Sequence, residues 1–146
     1  MGNLIQSGNW IIDYLINSKL GNLMETEVVI AGSVGDLSDI ADGDLASILG
    51  NLLDNAVDGV SDAPEKRIEL HFATENSSRI LICKNTVKSS ILAVNPHLMS
   101  TKSGGAHLGL GTRIIRETVA KYNGMTDFFE DHEMFCVQIV LPIVND

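Results

Sequence analysis

Residues 45–61, LASILGNLLDNAVDGVS, decide how the rest of the chain is read. Leu45, Ile48, Leu49, Leu52, Leu53, Ala56, Val57 and Val60 recur at helical spacing and lay one apolar stripe along a helix. Ser61, Asp62 and Pro64 close it. The polar residues are ordered too. Asn51, Asn55, Asp58 and Asp62 share a second stripe, opposite or beside the first. Asparagine is a poor helix former because its side chain competes for nearby backbone groups. Two of them in mid-helix suggest a task. Carboxamides one turn apart suit a hard cation such as Mg2+, which takes few protein ligands and draws its other oxygens from water and phosphate. A solvated helix face is the alternative.

Outward from this helix, residues 7–23 read as another, with Ser7 as N-cap and Ile11, Ile12, Leu15, Ile16, Leu20 and Leu23 on its buried face. Trp10 and Tyr14 on the same segment are expected in the core. Residues 26–32 form a β-branched strand, and the acidic stretch 35–44 offers further N-caps. After the central helix, Ile68, Leu70 and Phe72 alternate with polar residues. A turn at 75–78 then leads into a second, more apolar strand, so the pair is a hairpin. Residues 86–108 lack periodicity and read mostly as a loop, and a loop of that length in a compact domain is usually functional. A helix over 109–123 ends at Asn123-Gly124. Strands near 125–130 and 134–142 form a last hairpin through Asp131-His132. Hairpins imply antiparallel pairing. The expected fold is α+β: a two-layer sandwich whose mixed, mostly antiparallel sheet is covered on one face by about three helices.

The 146 residues suffice for one domain, read as 1–146. A net charge of −9 disfavours nucleic acid as a partner. No run approaches the ~18 apolar residues of a membrane span, and no signal peptide is visible. Contact with a membrane is therefore not expected of this segment. Cys83 and Cys136 lie in apolar runs and read as buried thiols of a reducing, cytoplasmic compartment.

Any anion must then be held locally. TKSGGAHLGLGTRII, residues 101–115, places Gly104, Gly105, Gly109 and Gly111 before and at the start of a helix. Glycines let backbone pass close to phosphate oxygens, and a helix N-terminus offers unpaired N–H groups. Thr112 adds a hydroxyl, and Lys102 and Arg113 add cations. His107 is placed to touch a phosphate, although a plain loop histidine is the simpler reading. The run matches neither the P-loop nor the dinucleotide fingerprint: Leu110 follows Gly109, and position 114 is Ile114. A flexible glycine hinge is the competing account.

Taken together, NLLDNAVDG, Lys84-Asn85 and the glycine run resemble, in that order, the N box and glycine boxes of the Bergerat-type ATP-binding fold shared by gyrase, histidine kinases and MutL. The likeness is greatest to the catalytic ATP-binding domain of sensor histidine kinases, in the subgroup of peptide-pheromone receptors of the accessory-gene-regulator type. SGNWIIDYLINSK at 7–19, ILGNLLDNA at 48–56, Thr101-Lys102, the Gly109–Gly111 run and KYNG at 121–124 have counterparts there.

The resemblance implies ATP and Mg2+ as ligands. It gives Asn55 to the metal, Asn51 to metal or phosphate, and Asn85 to the adenine amino group, where the wider family has an aspartate. It gives residues 86–108 to the lid, and Gly105, His107, Gly109, Leu110, Gly111, Thr112 and Lys102 to the phosphates. Asp58 shares the ATP-facing stripe. No glycine follows Asn85, so the first glycine box is degenerate. ATPases of this fold carry a glutamate base where Asn51 stands. An amide cannot take a proton from water, so hydrolysis should be slow and the γ-phosphate kept for another nucleophile. In histidine kinases that nucleophile is a histidine on a separate dimerisation domain, from which a response regulator is served. None of His71, His97, His107 and His132 suits that role, so an acceptor is expected elsewhere. An anti-sigma-like serine-kinase switch and a non-catalytic nucleotide-binding remnant are the alternatives on the same fold.

Overall fold

The computed structural model describes residues 5–94, 96 and 106–144, and the side chains of these apart from 94 and 106–108. The elements run α1 (Trp10–Leu20), β1 (Thr26–Gly32), α2 (Asp42–Val60), β2 (Lys66–Glu75), β3 (Ser78–Thr86), the single turn α3 (Ile91–Val94), α4 (Ala106–Ala120), β4 (Met125–Asp131) and β5 (Met134–Pro142). The sheet order is β1-β2-β3-β5-β4. β1 pairs parallel with β2 because α2 crosses between them; the other three pairings are antiparallel. The expected α+β sandwich is the fold observed.

The apolar stripe of α2 is the spine of the core. Leu45, Ile48, Leu49, Leu52, Leu53, Ala56 and Val60 are all buried. They meet Ile12 and Ile16 of α1, Ile115 and Val119 of α4, and the inward residues Ile68, Leu70, Phe135 and Ile139 of the sheet. Both hairpins turn through two residues of positive φ, Asn76-Ser77 and His132-Glu133, so the second turn sits one residue later than expected. Cys83 and Cys136 are free, buried thiols, and burial pushes that of Cys83 up to about 12.

Several local expectations are corrected. The N-cap of α1 is Asn9, whose side chain accepts from the Ile11 and Ile12 N–H groups. Ser7 instead donates its hydroxyl to Asp13 Oδ1 at 2.6 Å, which fixes the approach to the helix rather than its first turn. Trp10 and Tyr14 are exposed, at 71% and 65%, because Ile11, Ile12, Ile16 and Leu20 already fill the face turned to α2. Helix α2 starts three residues before Leu45, and its N-cap Ala41 contributes no side-chain bond. Helix α4 begins at Ala106, so the first turn falls within the segment read as loop.

Two polar ties hold the helical layer to the sheet and to itself. Arg79, 5% exposed, forks onto Asp39 (Nη1 to Oδ1 at 2.5 Å, Nη2 to Oδ2 at 2.9 Å) and donates to the Asp36 and Pro142 carbonyls. This pins the β1–α2 connection to β3 and β5. At the other end of α4, the Tyr122 hydroxyl donates to Asp44 Oδ2 at 2.5 Å and accepts from the Ala41 N–H. Lys121 pairs with the same carboxylate at 2.8 Å.

Candidate functional site

Helices α2 and α4 meet where the two polar motifs of the sequence lie. Asn51, Asn55 and Asp58 line a cleft of 310 Å³, closed on one side by Leu110 and Gly111 of α4. Asp62 falls past the end of α2 and is not in its wall. The two helices come close at Gly111. A Cβ there would stand 3.1 Å from Asn55 Oδ1, 3.2 Å from Asn51 Oδ1 and 3.3 Å from Asn55 Nδ2. A glycine at this position lets α4 reach both carboxamides.

The two carboxamides differ. Asn51 Nδ2 donates to the Ser47 carbonyl at 2.7 Å, which leaves its oxygen for the cleft. Asn55 is 7% exposed, and its Nδ2 is buried with no partner among the described residues. An unpaired buried donor costs about 1–3 kcal/mol, so it marks a place awaiting an acceptor. Carboxamide oxygens, an unspent donor and a bare stretch of backbone are the groups a triphosphate and its divalent cation require. The residues present fit Mg·ATP.

Asn85 stands on the inward face of β3, paired across the sheet with Ile68 and Phe135, and is 3% exposed. It packs on Gly59, one turn of α2 beyond Asn55. It does not line the cleft itself.

The second glycine box lies inside α4. Because the helix starts at Ala106, the N–H groups of Leu110, Gly111 and Thr112 belong to its helical run and not to its first, unpaired turn. Thr112 is buried and spends its hydroxyl on the Gly109 carbonyl at 3.0 Å. Lys102 and Gly105 lie outside the described residues. His107 has its backbone in the first turn of α4, and its side chain is outside the description. Arg113 points away from the cleft and pairs with Glu117 on an exposed face.

Among the described residues the cation that lines the cleft is Lys19, the last-turn lysine of α1, with its Nζ 2.7 Å from Asp54 Oδ1. Sequence reasoning gave it no role, although it ends the SGNWIIDYLINSK motif. His71 bonds Glu69 in the sheet and His132 lies in a hairpin turn beside Asp131.

A family profile described as the GHKL domain matches residues 41–142. The chain belongs to the GHKL family. That span holds the α2, β3 and α4 residues of the site and leaves out Lys19. Over 108 residues the chain is 32% identical to the sensor histidine kinase NatK of Bacillus subtilis (strain 168), a match over 68% of this chain and 33% of NatK. The GHKL domain thus spans about a third of that relative's length. The catalytic domain of histidine kinase ThkA has a TM-score of 0.69 to it at 16% identity, covering 93% of this chain and 94% of that one. The histidine kinase domain of the Erythrobacter litoralis EL346 blue-light activated histidine kinase has a TM-score of 0.70 at 14% identity, covering 97% and 63%. The fold is that of histidine kinase catalytic domains.

Proposed function

We propose that this GHKL domain binds Mg·ATP between α2 and α4 and presents the γ-phosphoryl group to a histidine on a separate helical dimerisation domain of a sensor kinase. A response regulator would receive the phosphoryl group next, on the cytoplasmic side of a membrane. The observation that carries the reading is the convergence of Asn51, Asn55 and Gly111 on one cleft, with a buried donor of Asn55 unspent.

The roles follow from the groups available. The oxygens of Asn55 and Asn51 would hold Mg2+, which supplies charge neutralisation to the phosphates. Lys19 would face the same phosphates across the cleft. Asp54 and Asp58 make the wall acidic, which favours a nucleotide that arrives with its cation over a bare anion. Gly109–Thr112 bring backbone close, with Gly105, Lys102 and His107 on the segment before them. Asn85 reads the adenine amino group. Phosphoryl transfer asks mainly for positioning and charge neutralisation. No carboxylate stands at position 51 to activate water, so hydrolysis without an acceptor is slow.

Titration calorimetry of the domain with ATP, with and without Mg2+, tests this. Asn55→Ala should weaken Mg-dependent ATP binding about tenfold or more, as the loss of one ligand-facing polar group does. An unchanged magnesium response in that variant would remove Asn55 from its role. A wild-type domain that binds no ATP at millimolar nucleotide would overturn the reading as a whole.

A further inference from the structure

Lys19 and Asp54 come from different helices, and both line the cleft between α2 and α4. Lys19 sits in the last turn of α1, and Asp54 directly precedes Asn55 in α2. Their contact is a single one, Nζ to Oδ1 at 2.7 Å. Both side chains are partly exposed, and such a pair adds little to the hold of one helix on another. That hold is already made by Ile12, Ile16 and Leu20, which are buried in the core that α1 shares with α2. What the pair does is balance the one positive charge that the described residues bring to the cleft. Asp58, on the same wall, pairs with no cation among the described residues.

The empty cleft is thus poorly suited to a bare anion. A polyphosphate without its metal meets Asp58 and a lysine whose charge Asp54 already balances. A metal–nucleotide complex brings what both partners of the pair need. Phosphate oxygens accept from an ammonium as a carboxylate does. A divalent cation, with the waters it keeps, satisfies a carboxylate as an ammonium does. One ion pair is exchanged for two. Asn51 and Asn55 flank Asp54 in the chain and line the same cleft, so a cation held by their oxygens lies on the wall to which Asp54 belongs. The buried, unpaired Nδ2 of Asn55 is an independent sign that a ligand belongs there.

We infer that Lys19 and Asp54 form a latch that the metal–nucleotide complex opens by exchange of partners: the phosphates take Lys19 while the cation takes Asp54, so that the cleft admits ATP with its metal and turns away the metal-free form. This rests on the nucleotide reading above and adds to it the device that makes metal and nucleotide enter together. Lys19 lies outside residues 41–142, so the device depends on α1 and not on the span matched by the family profile alone. Removing the Asp54 carboxylate should release the ammonium to the phosphates and let metal-free ATP in. Removing a carboxylate elsewhere on the wall should release nothing.

The test is calorimetric titration of ATP, once with Mg2+ and once with EDTA, into wild type, Asp54→Asn, Asp58→Asn, Lys19→Gln and Lys19→Gln combined with each aspartate change. All titrations share one ionic strength, because exposed charges are screened by salt, and thermal melts serve as a fold control. Asp54→Asn should bind metal-free ATP roughly tenfold tighter than wild type, the order of one charge-assisted hydrogen bond, and so shrink the ratio of magnesium-bound to metal-free affinity. Asp58→Asn removes the same charge from the same wall and should change metal-free affinity by no more than about threefold. In the Lys19→Gln background the two aspartate changes should become equivalent, because no ammonium is left to release. Equal effects of Asp54→Asn and Asp58→Asn with Lys19 in place overturn the inference and leave only the general charge of the wall. So does an Asp54→Asn domain whose metal-free affinity equals that of wild type. Both of these results keep nucleotide binding intact. A wild type that binds no ATP even with Mg2+ overturns the nucleotide reading instead.

Discussion

Lys19 brings a positive charge to the cleft of an otherwise acidic protein, from a helix outside the span matched by the family. Its Nζ is shared with Asp54, and the pair is partly exposed, at 30% and 56% of the side chains. Such a pair contributes little to stability, at most about 1 kcal/mol. Its value lies in what the ammonium does when phosphates arrive. Lys19→Gln should lower ATP affinity about three- to tenfold and leave the melting temperature nearly unchanged. Equal affinity in the two proteins, measured by calorimetry at the same salt, would take Lys19 out of the phosphate site. This residue was hard to see in the sequence. A lysine in the last turn of a helix is ordinary, since it suits the dipole there. Only the packing of α1 along α2 gives it an address. Asn51 and Asn55 were legible because mid-helix asparagines break a propensity rule.

At the scale of elements, α1 shows where pattern reading goes astray. Apolar residues surround it on more than one side, and the widest of them, Trp10 and Tyr14, are the ones left outside. Periodicity says that a stripe exists; which of two overlapping stripes is buried depends on the partner helix. The chain has a single tryptophan, so the arrangement can be read by fluorescence. In the folded domain Trp10 should show the red-shifted emission of a solvated indole and be quenched freely by acrylamide. A blue-shifted, protected Trp10 would mean that α1 is rotated relative to α2. The start of α4 was misjudged for a different reason. The glycines before position 109 mark a loop in sequence, yet the helix already starts at Ala106, three residues earlier than expected.

Across the whole molecule the fold was legible because alternation in the strands and the stripe of α2 agree on one core. The tie through Arg79 was not, since neither Asp39 nor Arg79 is near the other in the chain. Arg79 holds the Asp39 carboxyl below its ordinary value of 3.8, against the opposing effect of burial. The sign follows directly: a lowered folded value means the carboxylate stabilises the fold above the unfolded value and that this is lost as pH falls through the folded one. Asp39→Asn should be destabilised by about 2 kcal/mol near neutral pH, because a buried guanidinium loses its partner. It should also show a shallower loss of stability below about pH 4 than wild type. Urea midpoints taken across that range check both; parallel curves would show that the pair carries no acid sensitivity.

The register of the β2–β3 hairpin bears on chemistry as well as architecture. In β3, Leu81, Cys83 and Asn85 look toward the helices, and Lys84 lies between them on the opposite side, against Glu69 and Cys136 of the neighbouring strands. The contact of Asn85 with Gly59 is thus an odd–even property of the chain. A single residue added to or removed from the Asn76-Ser77 turn, if absorbed by sliding β3, would trade the carboxamide for a lysine or a threonine. Changes of two residues keep the parity but shift the asparagine by a full pleat, so length changes of either kind at this hairpin should part the carboxamide from Gly59.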